Sequence, residues 1–124
     1  MSLKIAMTKE LTSDFLSDIL ITAFDAAYGG CWYWAVPSEA AGDPWKIEDG
    51  LWQRVYIEER EGDEEGTYCV SHLVLADGLQ RMVDAGRMDS DIMTAISELD
   101  AGYIDADIAD AIVQWGLFGK LVYG

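Results

Sequence analysis

The sequence predicts an α+β domain: an N-terminal helix, a small antiparallel sheet of about three to four strands, and three further helices packed on it. Two observations carry this. Apolar residues recur with a helical period near both ends of the chain and with a strand period in the middle. Glycine and proline punctuate the changes of period, as chain breakers do between elements. A third observation makes a packed core credible. Although 23 acids face only 8 bases, for a net charge of −15, the chain is 51% hydrophobic and carries five Trp, six Tyr and three Phe. Disordered acidic chains lack that apolar content. At 124 residues, 1–124 reads as one domain.

Residues 1–10 read as a lead-in. Thr12 or Ser13 caps a helix running to Tyr28, with Leu16, Ile19, Leu20, Ala23, Phe24 and Ala27 on its apolar face. Asp14, Asp18 and Asp25 form a second stripe, and Gly29-Gly30 ends the helix. Cys31 to Val36 is aromatic and β-favouring, and reads as a strand covered on both faces and therefore central. Residues 37–50 hold Pro37, Gly42, Pro44 and Gly50 and read as a loop. Leu51 to Glu58 alternates as a strand, placing Leu51, Gln53, Val55 and Ile57 opposite Trp52, Arg54 and Tyr56. Six acids, Glu58, Glu59, Glu61, Asp63, Glu64 and Glu65, then crowd a hairpin tip before a returning strand from Thr67 to Val74. Helical periods follow from Ala76 to Gly86, from the Asp89 cap to Gly102, and from the Asp105 cap through Trp115, with Leu121 to Tyr123 as a short last strand.

Composition excludes several functions. No apolar run is long enough for a transmembrane helix, and Lys4 and Lys9 are not followed by a secretory apolar stretch. The charge argues against direct contact with nucleic acid or an anionic membrane. Cys31, Cys69 and His72 are too few and too scattered for a structural zinc site, and the thiols are expected to be reduced and mostly buried in a cytoplasm. Cys69 and His72 have no identifiable third group to make a nucleophile–base pair. The pairs Asp89/Asp91 and Asp105/Asp107 lack the glycine and distal glutamate of a calcium loop and read as helix caps. No nucleophile elbow, phosphate loop or dinucleotide fingerprint occurs, so no catalytic residue, metal or cofactor is assigned.

Two features are left to carry function. The aromatics Tyr28, Trp32, Tyr33, Trp34, Trp45, Trp52 and Tyr56 are dense; Trp32, Trp34 and Trp52 read as core, whereas Trp45 stands exposed in its loop, where an aromatic serves binding. The acids read either as solubilising charge or as a partner-binding surface. That surface comprises Asp14, Asp18 and Asp25, the 58–65 loop, and Asp100, Asp105, Asp107 and Asp110.

The run Ile21 to Trp34, with Thr22-Ala23, Gly29-Gly30 and Tyr33-Trp34, resembles the TA-x-E-GG-x-x-YW opening of small phage and prophage proteins. It departs from that pattern at Asp25 and Tyr28. The closing stretch, with Asp107, Gln114, Phe118-Gly119 and Val122-Tyr123-Gly124, resembles their D-x-x-x-Q-x-x-x-FG-x-x-V-Y/F-G ending. The resemblance covers the first and last quarters of the chain and implies a phage or prophage accessory protein of the bacterial cytoplasm, in a family with no assigned activity. The expected function is then a non-enzymatic inhibitor that mimics DNA to occupy a basic, nucleic-acid-binding host or defence protein, such as a restriction or CRISPR effector. The alternatives are a small-ligand, nucleotide-type binder using the aromatics, and a phage assembly component. The oligomeric state, a homodimer included, stays open.

Overall fold

The computed structural model describes residues 3–5, 9–25, 29–40, 42–60, 67–87 and 89–124. The lead-in is itself structured: β1 (Leu3–Ile5) and β2 (Lys9–Leu11) pair antiparallel, with Leu3 opposite Leu11. Helix α1 (Ser13–Phe24) follows, its N-cap Thr12 accepting from the Phe15 amide. It ends at Phe24 with Asp25 as C-cap, earlier than the double glycine suggested, and 26–28 lie outside the described residues.

The expected central strand at 31–36 is wrong. Cys31 to Trp34 form hydrogen-bonded turns, the Ala35 amide donating to Cys31 O, and only β3 (Ala35–Pro37) is extended. Helix and turn are tied directly, because the Gly30 and Cys31 amides donate to Thr22 O and Ala23 O. A Cβ on Gly30 would stand 2.5 Å from Ala106 O, so this glycine serves close approach rather than helix termination. The expected loop 37–50 contains a further strand, β4 (Trp45–Glu48), which its two prolines concealed.

The central strand is β5 (Leu51–Glu59). β6 (Thr67–Ser71) pairs antiparallel along one edge, from Arg54↔Ser71 to Glu58↔Thr67. On the other edge β3 and β4 lie end to end, β3 opposite residues 57–59 and β4 opposite residues 51–55. The ladder between β4 and β5 shifts register after Lys46: Lys46 faces Arg54 but Ile47 faces Trp52, leaving Gln53 as an extra residue. This bulge reverses the alternation, so that Trp52 joins the face of Val55 rather than that of Arg54 and Tyr56. The Trp52 amide donates to Ser17 Oγ on α1 at 2.8 Å.

Ser71 caps α2 (His72–Asp84), which starts four residues before the expected helix and cuts the preceding strand short at Ser71. α3 (Ser90–Glu98) is capped by Asp89 and closes at Leu99, before Gly102. Asp100 caps a single 3-10 turn, Ala101–Tyr103. α4 (Ala106–Phe118) is capped by Asp105 and passes through Gly116 to Gly119. The expected last strand at 121–123 is an irregular tail.

The α+β class holds: four helices and a four-stranded antiparallel sheet, with the β1–β2 hairpin added. Only part of the expected layering does. α1 covers β5, α2 and α4 pack chiefly on each other and on α1, and α3 leans on the 3-10 turn and β2. The core joins Phe15, Leu16, Ile19, Leu20 and Phe24 of α1 to Val55 and Ile57 of β5 and to Leu75, Leu79, Ile112 and Val113 of the helical layer. The α2–α4 crossing is built on glycine: a Cβ on Gly78 would lie 2.2 Å from Ile112 O, and one on Gly116 2.2 Å from Val74 O.

Candidate functional site

Three constellations emerge: an acidic face, a buried carboxylate node and a tryptophan cleft. The acidic face begins on α1, where Asp14 and Asp18 are exposed one helical turn apart. The 3-10 turn packs beside α1 and brings Asp100 to them. Asp18 is consequently pushed above the usual aspartate range, by partial burial first and then by the charges of Asp14 and Asp100. The field continues across exposed Tyr103, whose phenol is raised by Glu98 foremost and also by Asp100 and Asp91. Every charge acting on these two groups is negative. Three of the four arginines are engaged elsewhere: Arg54 donates to Asp43 O and Pro44 O, Arg60 to Trp32 O, and Arg81 to Trp115 O and Gly116 O.

Other predicted site residues lie apart from this face. Asp25 is the α1 C-cap at the mouth of the tryptophan cleft. Glu58 and Glu59 belong to β5 rather than to a hairpin tip, and Glu58 accepts from Ser38 Oγ at 3.1 Å. Glu61, Asp63, Glu64 and Glu65 lie outside the described residues. Asp105 is occupied as the α4 cap. Trp45 sits half-buried in β4, not exposed in a loop.

Asp110 is a correction of another kind, since it is buried and cannot belong to a surface row. Its Oδ1 accepts from Trp34 Nε1 at 2.7 Å and Gln114 Nε2 at 2.9 Å, and its Oδ2 from the Tyr33 hydroxyl at 2.5 Å. Fully buried Gln114 extends the node to the tail, its Oε1 accepting the Val122 and Tyr123 amides at 2.8 Å each. Trp34 stacks on Tyr123 with centroids 4.8 Å apart, and Phe118 packs against both rings. The two terminal motifs of the sequence therefore meet in space. The aspartate at D-x-x-x-Q spacing from Gln114 is Asp110, not Asp107. The node raises the Tyr33 phenol, by desolvation first and then by the Asp110 hydrogen bond and charge. It also lifts the Cys31 thiol, by burial foremost and then by Asp110. With donors that are all neutral, the node holds the turn, α4 and the tail together.

The third constellation is a cleft of about 370 Å³ lined by Trp32, Trp45, Trp52, Ile47 and Asp25. Trp45 and Trp52 meet at 4.9 Å and 60°, a contact that the β5 bulge makes possible. Trp32 is anchored by its Nε1 donating to Phe24 O at 2.9 Å. The expected single aromatic cluster is thus two, with Tyr33 and Trp34 in the node, three tryptophans in the cleft, and Tyr56 apart beneath Arg54. Tyr28 lies outside the described residues.

Among the described residues no group of three or more His, Cys, Asp or Glu is placed to hold a metal, and no helix is long and apolar enough to cross a membrane. Cys69 lies exposed on β6, against the expectation that it is packed. His72 Nε2 lies 2.7 Å from Trp52 O, which as a carbonyl only accepts, so that nitrogen carries the proton. No family model, curated protein or solved structure matches this chain.

Proposed function

We propose that the protein is a non-enzymatic binding module whose acidic face docks on a basic, nucleic-acid-binding protein of a host cell or its defence systems, in place of nucleic acid. The observation that carries this reading is a run of acids linked through Asp100, which acts on Asp18 together with Asp14 and on exposed Tyr103 together with Glu98 and Asp91. Solubility alone is served by charges spread apart. Ionised Asp18 is disfavoured by partial burial and then by the charges of Asp14 and Asp100, and a cationic partner relieves that repulsion. Exposed Tyr103 supplies apolar contact beside the charge. The long-range field of −15 speeds the encounter.

The test is affinity capture from bacterial lysate at low salt, comparing the native protein with an Asp14→Asn, Asp18→Asn, Asp91→Asn, Glu98→Gln variant. The expected catch is nucleic-acid-binding proteins that duplex DNA or added salt displaces and that the variant loses. A catch indifferent to the four substitutions, or one without nucleic-acid-binding proteins, refutes the reading.

A further inference from the structure

The tryptophan cleft is separate chemistry. Among the described residues its lining is three indoles, one isoleucine and one carboxylate-bearing residue, with no lysine or arginine. Trp45 and Trp52 pack against each other with centroids 4.9 Å apart and planes tilted by 60°, and Trp32 lines the same cleft from the turn after α1. Indole faces carry the negative end of the ring quadrupole and attract a cation held within about 6 Å of the centroid. Asp25 adds a carboxylate to the lining. The nearest base in sequence, Lys46, is paired with Glu48 at 3.3 Å, and neither lines the cleft. Nucleotides fit this lining poorly, because among its described residues the one ionisable group is an acid, Asp25, which repels phosphate.

We propose that this cleft is an aromatic cage for a small methylated ammonium ion without an anionic group, a free solute of the choline class. Methylation suits the lining: methyl groups lie against the rings and Ile47, while the diffuse charge faces indole and Asp25. An unmethylated ammonium would forfeit strong hydration for the same contacts. The acidic face plays no part in this site.

Intrinsic tryptophan fluorescence tests the proposal, with tetramethylammonium and choline chloride titrated against sodium chloride at equal ionic strength. The neutral carbon isostere of choline, 3,3-dimethylbutan-1-ol, and AMP are run beside them. Saturable change with both ammonium ions is expected, with the isostere on the order of tenfold weaker. Asp25→Asn keeps the backbone cap and weakens choline binding several-fold. Trp45→Ala abolishes it, while circular dichroism reports whether the sheet survives. Trp45→Phe keeps an aromatic wall with a weaker quadrupole and gives an intermediate affinity. Equal binding of the isostere makes the cleft a merely apolar site and overturns the proposal. So does a response to AMP alone, or none to either ammonium ion.

Discussion

Asp110 is the residue whose removal tests the architecture most sharply. Three neutral donors converge on its carboxylate: Tyr33 Oη, Trp34 Nε1 and Gln114 Nε2. A hydrogen bond to a charged group contributes about 1.5–3 kcal/mol net, and one stranded buried donor costs about 1–3 kcal/mol. Bonds that share an acceptor do not add in full. Asp110→Ala is therefore expected to destabilise by about 4 kcal/mol, a large part of the 5–15 kcal/mol typical of a domain. At roughly 4 °C per kcal/mol for a chain of this size, the melting temperature falls by about 15 °C.

Asp110→Asn separates hydrogen-bond geometry from charge. Its carbonyl can keep the Trp34 and Gln114 donors, while its NH₂ donates to a Tyr33 hydroxyl that rotates to accept. Only the charge assistance is lost, about 1–2 kcal/mol. The assay is thermal and urea unfolding at neutral pH, with near-ultraviolet circular dichroism reporting the stacked Trp34–Tyr123 pair. Alanine melting within about 1 kcal/mol of the native protein, or asparagine as damaging as alanine, refutes the node as described.

Gly78→Ala or Gly116→Ala gives a test of sign. Helix propensity alone predicts a gain of about 1 kcal/mol, whereas a Cβ 2.2 Å from a carbonyl oxygen of the opposing helix forces α2 and α4 apart, so a loss of about 3 kcal/mol or more is expected in denaturant unfolding; a gain refutes the close crossing. Asp18→Asn is expected to raise the melting temperature at pH 7 and low salt, because the folded state raises this carboxyl and its ionised form is a liability above that raised value. The advantage should shrink as pH falls through the folded value, where native Asp18 takes up its proton, and as salt screens Asp14 and Asp100; an advantage that persists at acid pH contradicts the assigned cause.

Elements with local chemistry were legible in the sequence. Asp89 and Asp105 cap the helices they were expected to cap, Thr12 is the one of the two expected caps, Thr12 or Ser13, that α1 uses, and β5 and β6 pair antiparallel as expected. The misses have physical reasons. Cys31 to Trp34 has strong β propensity, but propensity there reflects packing on a sheet, and these residues pack instead between α1 and α4 through the Gly30 approach to Ala106. β4 was hidden because Pro44 and Gly50 flank a strand of four residues. Ser71 acts as an N-cap inside an apolar run, so the strand period ran past it into α2.

The candidate sites show a different limit, which concerns what a charge count can say. Among 23 acids, sequence gives each carboxylate equal standing, yet their roles depend on neighbours far along the chain, as Asp110 does on Tyr33, 77 positions away. Asp110 becomes a buried acceptor because Tyr33 and Trp34 reach it, and Asp18 joins a repulsive patch because the 3-10 turn delivers Asp100. Trp52 turns toward Trp45 because one extra residue in β5 reverses an alternation that the sequence displays intact. The signal that was available is spacing: Asp110 and Gln114 stand one helical turn apart on a face whose other members, Ala109, Ile112 and Val113, are apolar. A carboxylate on an apolar stripe has to find donors or forgo folding. That demand distinguishes Asp110 from every solvated acid around it, and it locates the partners in the aromatic turn at the other end of the chain.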